Sequence, residues 1–170
     1  SAIVESLERL QEHNYSNIVI IKSTLPPESC DKYCNIFDLI ITYNPEFLRE
    51  STSPNEDFEN QDTIVIGSVH SSHFKKVKKM YEDVAIAEAS YFHMTLLEAE
   101  MVKYAQNTML ASRVALANMI FDACKEHGIE YDKIRKVAFS RFEIIGSHMT
   151  EVPGPDGKRG FGGKCLPKDI

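Results

Sequence analysis

The chain has 170 residues, of which 43% are hydrophobic and 26% are charged, and its formal net charge at pH 7 is −6. Its length suits about one domain with a substantial core, and its acidic balance argues against nucleic acid as a partner. No apolar run approaches the ~20 residues that a membrane span needs, and no secretory segment opens the sequence. We therefore expect a cytoplasmic protein with no membrane contact.

Four cysteines are present: Cys30, Cys34, Cys124 and Cys165. An even number can indicate disulfides, but the length, the composition and the lack of a secretory segment favour reduced thiols. Cys30 and Cys34 are four residues apart, and no second pair lies nearby at the spacing of a zinc site. We predict that both pack on a short helix and that the chain holds no metal.

The first half of the chain alternates predicted helices with predicted strands. "AIVESLERLQEH" has the spacing of an amphipathic helix, and "NIVIIKS", "FDLIITY" and "TIVIGS" are continuous apolar runs typical of buried strands. Pro26 and Pro27 end the first strand, and a short helix is predicted over 28–35. "SSHFKKVKKMYEDV" predicts another helix, with Phe74 and Tyr81 on its apolar side.

This alternation indicates βαβ units and a mostly parallel sheet. Ligands of such sheets gather at the carboxyl ends of the strands. The segments that follow the first two strands, "STLPPES" and "NPEFLREST", are therefore the places where we expect a site.

One long helix is predicted over 95–127. Thr95 and Glu98 form a capping box at its start, and Gly128 ends it. At 1.5 Å per residue, about 33 residues extend roughly 50 Å. Because this exceeds one small domain, we expect the helix to bridge two lobes or to lie against another subunit. A shorter helix is predicted over 131–140, followed by a loop rich in glycine and proline.

The segment "GFGGKCLPKD", residues 160–169, places a thiol, an ammonium and a carboxylate on one loop. A cysteine acts as a nucleophile only as the thiolate, and the ammonium of Lys168 favours the thiolate of Cys165. Asp169 is suited to hold a water or to act as a base. The alternative is a buried structural cysteine beside a loop.

Three other places carry candidate residues, each with a plainer alternative. Lys103 and Asn107 share a face of the long helix, where they can bind an oxyanion that develops during a reaction. The alternative is that both side chains are only solvated. Glu46 and Glu50 pair two carboxylates at a predicted strand end, or form an acidic turn. Thr24 closes the first strand, where its hydroxyl relays a proton or caps the turn.

Four segments together resemble the nucleotide-sugar 6-dehydrogenases, the UDP-glucose/GDP-mannose dehydrogenase family. They are "KSTLPP", "YNPEFLRES", "AEMVKYAQNTMLASRVALAN" and "GFGGKCLPKD", in the family's order and over essentially all 170 residues. The last is the most specific, because its thiol, lysine and aspartate all match. The resemblance implies an α/β fold. It also implies that residues 1–92 are the C-terminal half of a Rossmann-like NAD-binding domain. Residues 93–170 are then expected to form a long central helix and the start of an all-helical dimerisation domain, with the cysteine loop.

The activity that the resemblance implies is NAD-dependent oxidation of UDP-glucose to UDP-glucuronate, which supplies polysaccharide biosynthesis. Two hydride transfers pass through a thiohemiacetal and a thioester on Cys165, because a free aldehyde cannot lose a second hydride until a group adds to its carbonyl. The implied assembly is a homodimer through the long helix. The alternatives are a GDP-mannose 6-dehydrogenase and an inactive helical dimerisation remnant.

The resemblance also implies residue roles. The catalytic residues are Cys165, Lys103, Asn107, Asp169, Glu46 and Thr24. The residues near the cofactor are Thr24, Glu50 and Lys168. The sugar site is lined by Glu46, Phe47, Leu48, Glu50, Lys103, Asn107, Phe161, Gly162 and Cys165. Among these, Lys103 and Asn107 hold the oxygen on which charge develops, and Glu46 assists hydrolysis of the thioester.

Two features of the family are missing from the sequence. There is no G-x-G-x-x-G after the first strand, and no acidic residue about 20 positions later to hold the ribose. We therefore expect a central fragment of a longer enzyme, without the C-terminal nucleotide-binding domain and inactive by itself. In "EVPGPDGKRG", Lys158 and Arg159 are expected to form a solvated turn or to meet a phosphate.

Overall fold

The computed structural model describes residues 1–47, 54–84, 88–141, 146, 150–154 and 157–160. The chain divides into two compact units, Ser1–Lys103 and Tyr104–Ile170, and each is described by itself.

Six helices and four strands are described. They are α1 (Ala2–Glu12), β1 (Ile18–Ile21), α2 (Ser29–Ile36), β2 (Ile40–Tyr43), α3 (Pro54–Glu59), β3 (Thr63–Ser68), α4 (Ser71–Val84), β4 (Ser90–Met94), α5 (Leu96–Glu126) and α6 (Tyr131–Ala138). Every helix and strand predicted from the sequence is confirmed to within a few residues. The helix α3 and the strand β4 were not predicted, since neither has a clear apolar period.

The four strands form one sheet in the order β1-β2-β3-β4. β1 pairs with β2 in parallel and β3 with β4 in parallel, but β2 and β3 are antiparallel. The expected parallel character therefore holds for two of the three pairings. Ile21 is opposite Tyr43, so the carboxyl ends of β1 and β2 coincide.

Each face of the sheet packs against helices, which explains why the strands are apolar without alternation. Side chains still alternate between the faces: Val65 joins a core with α1, α2 and the start of α5, whereas Ile64 and Ile66 join a core with α4. Tyr81 of α4, on the predicted apolar side, is buried in that second core together with Val77.

The start of α5 lies close against the end of β3. A Cβ at Gly67 would lie 2.8 Å from the Cβ of Ala99 and 3.1 Å from the carbonyl oxygen of Thr95, so a larger residue would displace the first turn of α5. The predicted capping box is confirmed: the Glu98 carboxylate accepts from the Thr95 backbone N–H at 2.8 Å, and the Glu98 N–H donates to the Thr95 hydroxyl at 3.2 Å.

The second unit contains the rest of α5 and α6. Gly128, with φ of +67°, ends α5 in the left-handed conformation that favours glycine. Tyr131 opens α6, stacks edge-on against Phe121, and donates from its hydroxyl to the carbonyl of Thr150 at 2.5 Å. Within the described residues, no helix combines the length and the apolarity that crossing a membrane requires.

Candidate functional site

Five of the predicted site residues lie in the described part of the chain: Thr24, Glu46, Phe47, Lys103 and Asn107. The other seven, which are Leu48, Glu50, Phe161, Gly162, Cys165, Lys168 and Asp169, lie outside the described residues. Their roles stay predictions.

The site begins where β1 and β2 end. Lys22 directly follows β1 and Asn44 directly follows β2. The backbone N–H of Asn44 donates to Ile21 at 2.9 Å, which extends the pairing of the two strands. The buried Asn44 side chain donates to the carbonyl of Val65 at 2.7 Å and so joins β2 to β3.

The ammonium of Lys22 has three acceptors at this edge, one for each of its N–H groups. They are Asn44 Oδ1 at 2.7 Å, the Tyr81 hydroxyl at 2.9 Å and Glu46 Oε2 at 2.9 Å. The Tyr81 hydroxyl itself donates to Asn44 Oδ1. Glu46, two residues beyond Asn44, therefore faces the Lys22 ammonium.

Lys103 reaches the segment after β2 from the first turns of α5. Its side chain is only 8% exposed, which is rare for a lysine. Its Nζ lies 5.4 Å from the centre of the Phe47 ring, within the range of a cation–π contact. Lys103 therefore contacts the segment that follows β2, in which Phe47 comes directly after Glu46.

Thr24 lies half-buried in the turn between β1 and α2. That turn is anchored by Glu100, which has no exposed surface. Its Oε2 accepts from the backbone N–H of Glu28 at 2.7 Å, and its Oε1 accepts from that of Cys30 at 2.8 Å. Glu28 occupies the N-cap position of α2 with φ of +69°, but its own side chain makes no capping hydrogen bond. The Glu100 carboxylate, from α5, makes these hydrogen bonds instead.

The described cysteines, Cys30, Cys34 and Cys124, are free thiols. Cys30 and Cys34 pack on α2, as predicted. Burial raises the pKa of the Cys30 thiol strongly, and the Glu100 carboxylate raises it further. Burial also raises the pKa of Cys34, with a further contribution from Asp31. Both thiols are therefore neutral near pH 7 and poorly suited to act as nucleophiles.

In the second unit, Asn107 is buried on α5 at 3% exposure. Arg159 of the loop after α6 contacts three residues of α5. It donates to Asn118 at 3.2 Å, forms an ion pair with Asp122, and lies 5.3 Å from the centre of the Phe121 ring. The Arg159 side chain is 48% exposed, in keeping with the expected solvated turn, but its hydrogen bonds and its ring contact also hold it against α5.

Thr24 and Glu46 are polar residues that follow the carboxyl ends of β1 and β2, the edge where ligands of such sheets gather. The N-terminus of α2, a place that could otherwise hold a phosphate, is occupied by the Glu100 carboxylate. We therefore assign no pyrophosphate contact to it.

Four residues of this site were not singled out from the sequence: Lys22, Asn44, Tyr81 and Glu100. A signal was present for two of them. Lys22 and Asn44 each follow directly after an apolar strand run, at the edge where ligands gather. Glu100 lies three residues before Lys103 on the same helix face, but a carboxylate there looks like an ordinary surface acid.

A sheet with helices on both faces, a polar edge at two strand ends and a long helix that follows define a Rossmann-like α/β protein. Residues 1–85 match the UDP-glucose/GDP-mannose dehydrogenase family, NAD binding domain, and residues 97–170 match the central domain of the same family. The chain therefore belongs to the UDP-glucose/GDP-mannose dehydrogenase family, as the sequence predicted. The first match also confirms NAD as the predicted cofactor. The domain boundary after residue 92 stays a prediction.

Relatives in this family match almost the whole chain. The UDP-glucose 6-dehydrogenase of Rickettsia felis is 32% identical over 99% of this chain and 37% of that protein. The enzyme of the same name from Rickettsia bellii is 33% identical over 100% of this chain and 39% of that protein. A solved UDP-glucose dehydrogenase from Pyrobaculum islandicum is 31% identical, with a TM-score of 0.74 over 90% of this chain and 35% of that one. The chain thus spans less than half the length of these relatives.

Proposed function

We propose that this protein, at full length, oxidises UDP-glucose to UDP-glucuronate by removing two hydrides in succession. The relatives named UDP-glucose 6-dehydrogenase, which match nearly all of the chain, support this substrate over GDP-mannose. NAD+, when bound, accepts each hydride.

The observation that carries the proposal is the meeting of Lys103 with the segment that contains Glu46. These residues lie far apart in the sequence, on α5 and after β2, yet the Lys103 ammonium stacks on the ring next to Glu46. A half-buried carboxylate and a buried ammonium at a strand edge are suited to acid–base work on one small substrate. A helix with a purely structural role would not need a buried ammonium beside this segment.

The proposed covalent step takes place on Cys165. After the first oxidation, its thiolate adds to the aldehyde carbon and forms a C–S bond, while the carbonyl oxygen gains the negative charge. Lys103 and Asn107 hold that oxygen. Loss of the second hydride restores the C=O bond as a thioester. Water then adds to the thioester carbon, the C–S bond breaks, the thiolate is released, and Glu46 takes a proton from the water.

We also propose a homodimer through α5. Within the second unit, Met109, Leu116 and Met119 are 66%, 57% and 67% exposed. Their spacing of seven and three residues puts them on one face of the helix. A second copy of the chain would cover this apolar face. We propose a cytoplasmic location as well, which the free thiols of the described cysteines, Cys30, Cys34 and Cys124, support.

The test is the stoichiometry of NADH formation by the full-length protein with UDP-glucose, and with GDP-mannose in a parallel reaction. We expect two NADH per UDP-glucose and a much slower reaction with GDP-mannose. Cys165→Ser should form no UDP-glucuronate, whereas Cys34→Ser, which changes a packing thiol, should still form it. One NADH with release of a free aldehyde, preference for GDP-mannose, or normal acid formation by Cys165→Ser would contradict the proposal.

A further inference from the structure

We propose that Lys22 is a positioning residue: fixed by Asn44 and Tyr81, its ammonium holds the Glu46 carboxylate in the orientation from which Glu46 takes a proton from the hydrolytic water. This inference rests on the function proposed above and assigns a role to residues that the family resemblance did not include.

The ammonium of Lys22 is rigidly held, which is unusual for a lysine. A lysine side chain has four rotatable bonds and loses much entropy when it is ordered. Here all three of its N–H groups have acceptors within 2.9 Å, in Asn44, Tyr81 and Glu46. Its Nζ also lies 5.6 Å from the centre of the Tyr81 ring.

The two neutral acceptors, Asn44 and Tyr81, are themselves held in place by the sheet and by the helix α4 that packs on it. Asn44 is 3% exposed and donates to Val65 of β3, and its backbone N–H donates to Ile21 of β1. Tyr81 of α4 is 2% exposed, packs in the core, and donates to Asn44. The rigid sheet therefore orients Asn44 and Tyr81, these orient Lys22, and Lys22 orients Glu46.

Stability alone does not account for this arrangement. The side chains of Lys22 and Glu46 are 37% and 31% exposed, and ion pairs with such access to water contribute little to folding. A carboxylate that must meet one water in one direction, by contrast, gains from a fixed partner, since a small misplacement of a reacting group slows a reaction strongly.

The role predicts a defect confined to one step. In Lys22→Met, both hydride transfers proceed but hydrolysis of the thioester slows by roughly 10- to 100-fold. The full-length variant should therefore release a burst of two NADH per active site and then turn over slowly. Acid quenching followed by mass spectrometry should find the UDP-glucuronyl thioester accumulated on Cys165, as in Glu46→Gln.

Matched variants separate positioning from folding. Lys22→Arg, which keeps a cation, should restore part of the hydrolysis rate, and Tyr81→Phe, which keeps the core ring, should show a smaller defect of the same kind. Lys75→Met, an exposed lysine of α4, should behave as the parent protein. The double variant Lys22→Met/Glu46→Gln should be no slower than Glu46→Gln.

The outcomes also separate this inference from the proposed function. If the parent protein forms no NADH from UDP-glucose, the proposed function itself fails. If the parent is active but Lys22→Met slows every step equally without a trapped thioester, or if the defects of Lys22→Met and Glu46→Gln add, Lys22 does not position Glu46.

Discussion

The carboxylate of Glu100 accepts a hydrogen bond of 2.8 Å from the backbone N–H of Cys30, at the first turn of α2. The same carboxylate also accepts a hydrogen bond from the backbone N–H of Glu28, the residue that precedes α2, so a side chain of α5 caps α2. Because Glu100 and Lys103 share one face of α5 and Thr24 leads into α2, this contact links the turn of Thr24 to the helix of Lys103.

Replacing Glu100 by glutamine should destabilise the protein by about 1–3 kcal/mol, because the amide –NH2 faces a backbone donor and leaves it without an acceptor in a dry site. The free energy of unfolding in urea, followed by circular dichroism, measures this loss. The control is Glu126→Gln, an exposed acid at the other end of the same helix. A Glu100→Gln loss no larger than that of the control would show that Glu100 does not anchor α2.

The contact between Glu100 and α2 also shows where prediction from the sequence stops. The strands and helices were predictable because the apolar runs, the capping box of Thr95 and Glu98, and the prolines act locally. Glu100 and Cys30 are 70 residues apart, and Lys22 and Tyr81 are 59 apart. Pairings at such distances depend on how the elements pack, and no local pattern encodes them.

The same reason accounts for the secondary structure that was missed. β4, "SYFHM", is an edge strand whose side chains are mostly exposed or half-buried, and it is held by parallel pairing with β3. Its sequence therefore lacks the apolar run that revealed β1, β2 and β3. The candidate site was predictable in part: Glu46 and Lys103 were identified from the sequence, while Lys22, Asn44 and Tyr81 required the fold.

The capping box at the start of α5 should make stability depend on pH. Two hydrogen bonds from Thr95 lower the pKa of Glu98 below its ordinary value of 4.5: the larger effect comes from the backbone N–H and the smaller from the hydroxyl. A carboxyl with a lowered folded-state pKa adds stability that is fully present above its unfolded-state pKa and is lost as pH falls through the folded-state value.

Glu98→Gln should therefore be less stable than the parent protein at pH 7, and the difference between the two should shrink at pH 3. Urea midpoints at both pH values measure this effect. Glu126→Gln, in which the exposed carboxyl lies at the end of α5, serves as the control. A difference between parent and Glu98→Gln that is the same at both pH values would contradict the pKa shift.

The proposed dimer face predicts a change in assembly. Leu116→Glu puts a charge in the middle of the exposed apolar face of Met109, Leu116 and Met119, and burying that charge against a second copy is unfavourable. Light scattering should find the full-length parent as a dimer or a multiple of it and the variant shifted toward monomer. Lys125→Glu, nine residues on and so on the opposite side of the helix, should leave the mass unchanged. An unchanged mass for Leu116→Glu would exclude this face.

The contact of Arg159 with α5 predicts a local titration. The hydrogen bond from Arg159 lowers the pKa of the Asp122 carboxyl below its ordinary value of 3.8, and Lys125 makes a smaller contribution in the same direction. Arg159→Met should therefore raise the pKa of Asp122 toward 3.8, as followed by the carboxyl carbon signal in NMR. Lys125→Met should raise it less, because Lys125 acts only through space. Equal shifts in the two variants would show that Arg159 is not docked on Asp122, and the loop after α6 would then lack this anchor to α5.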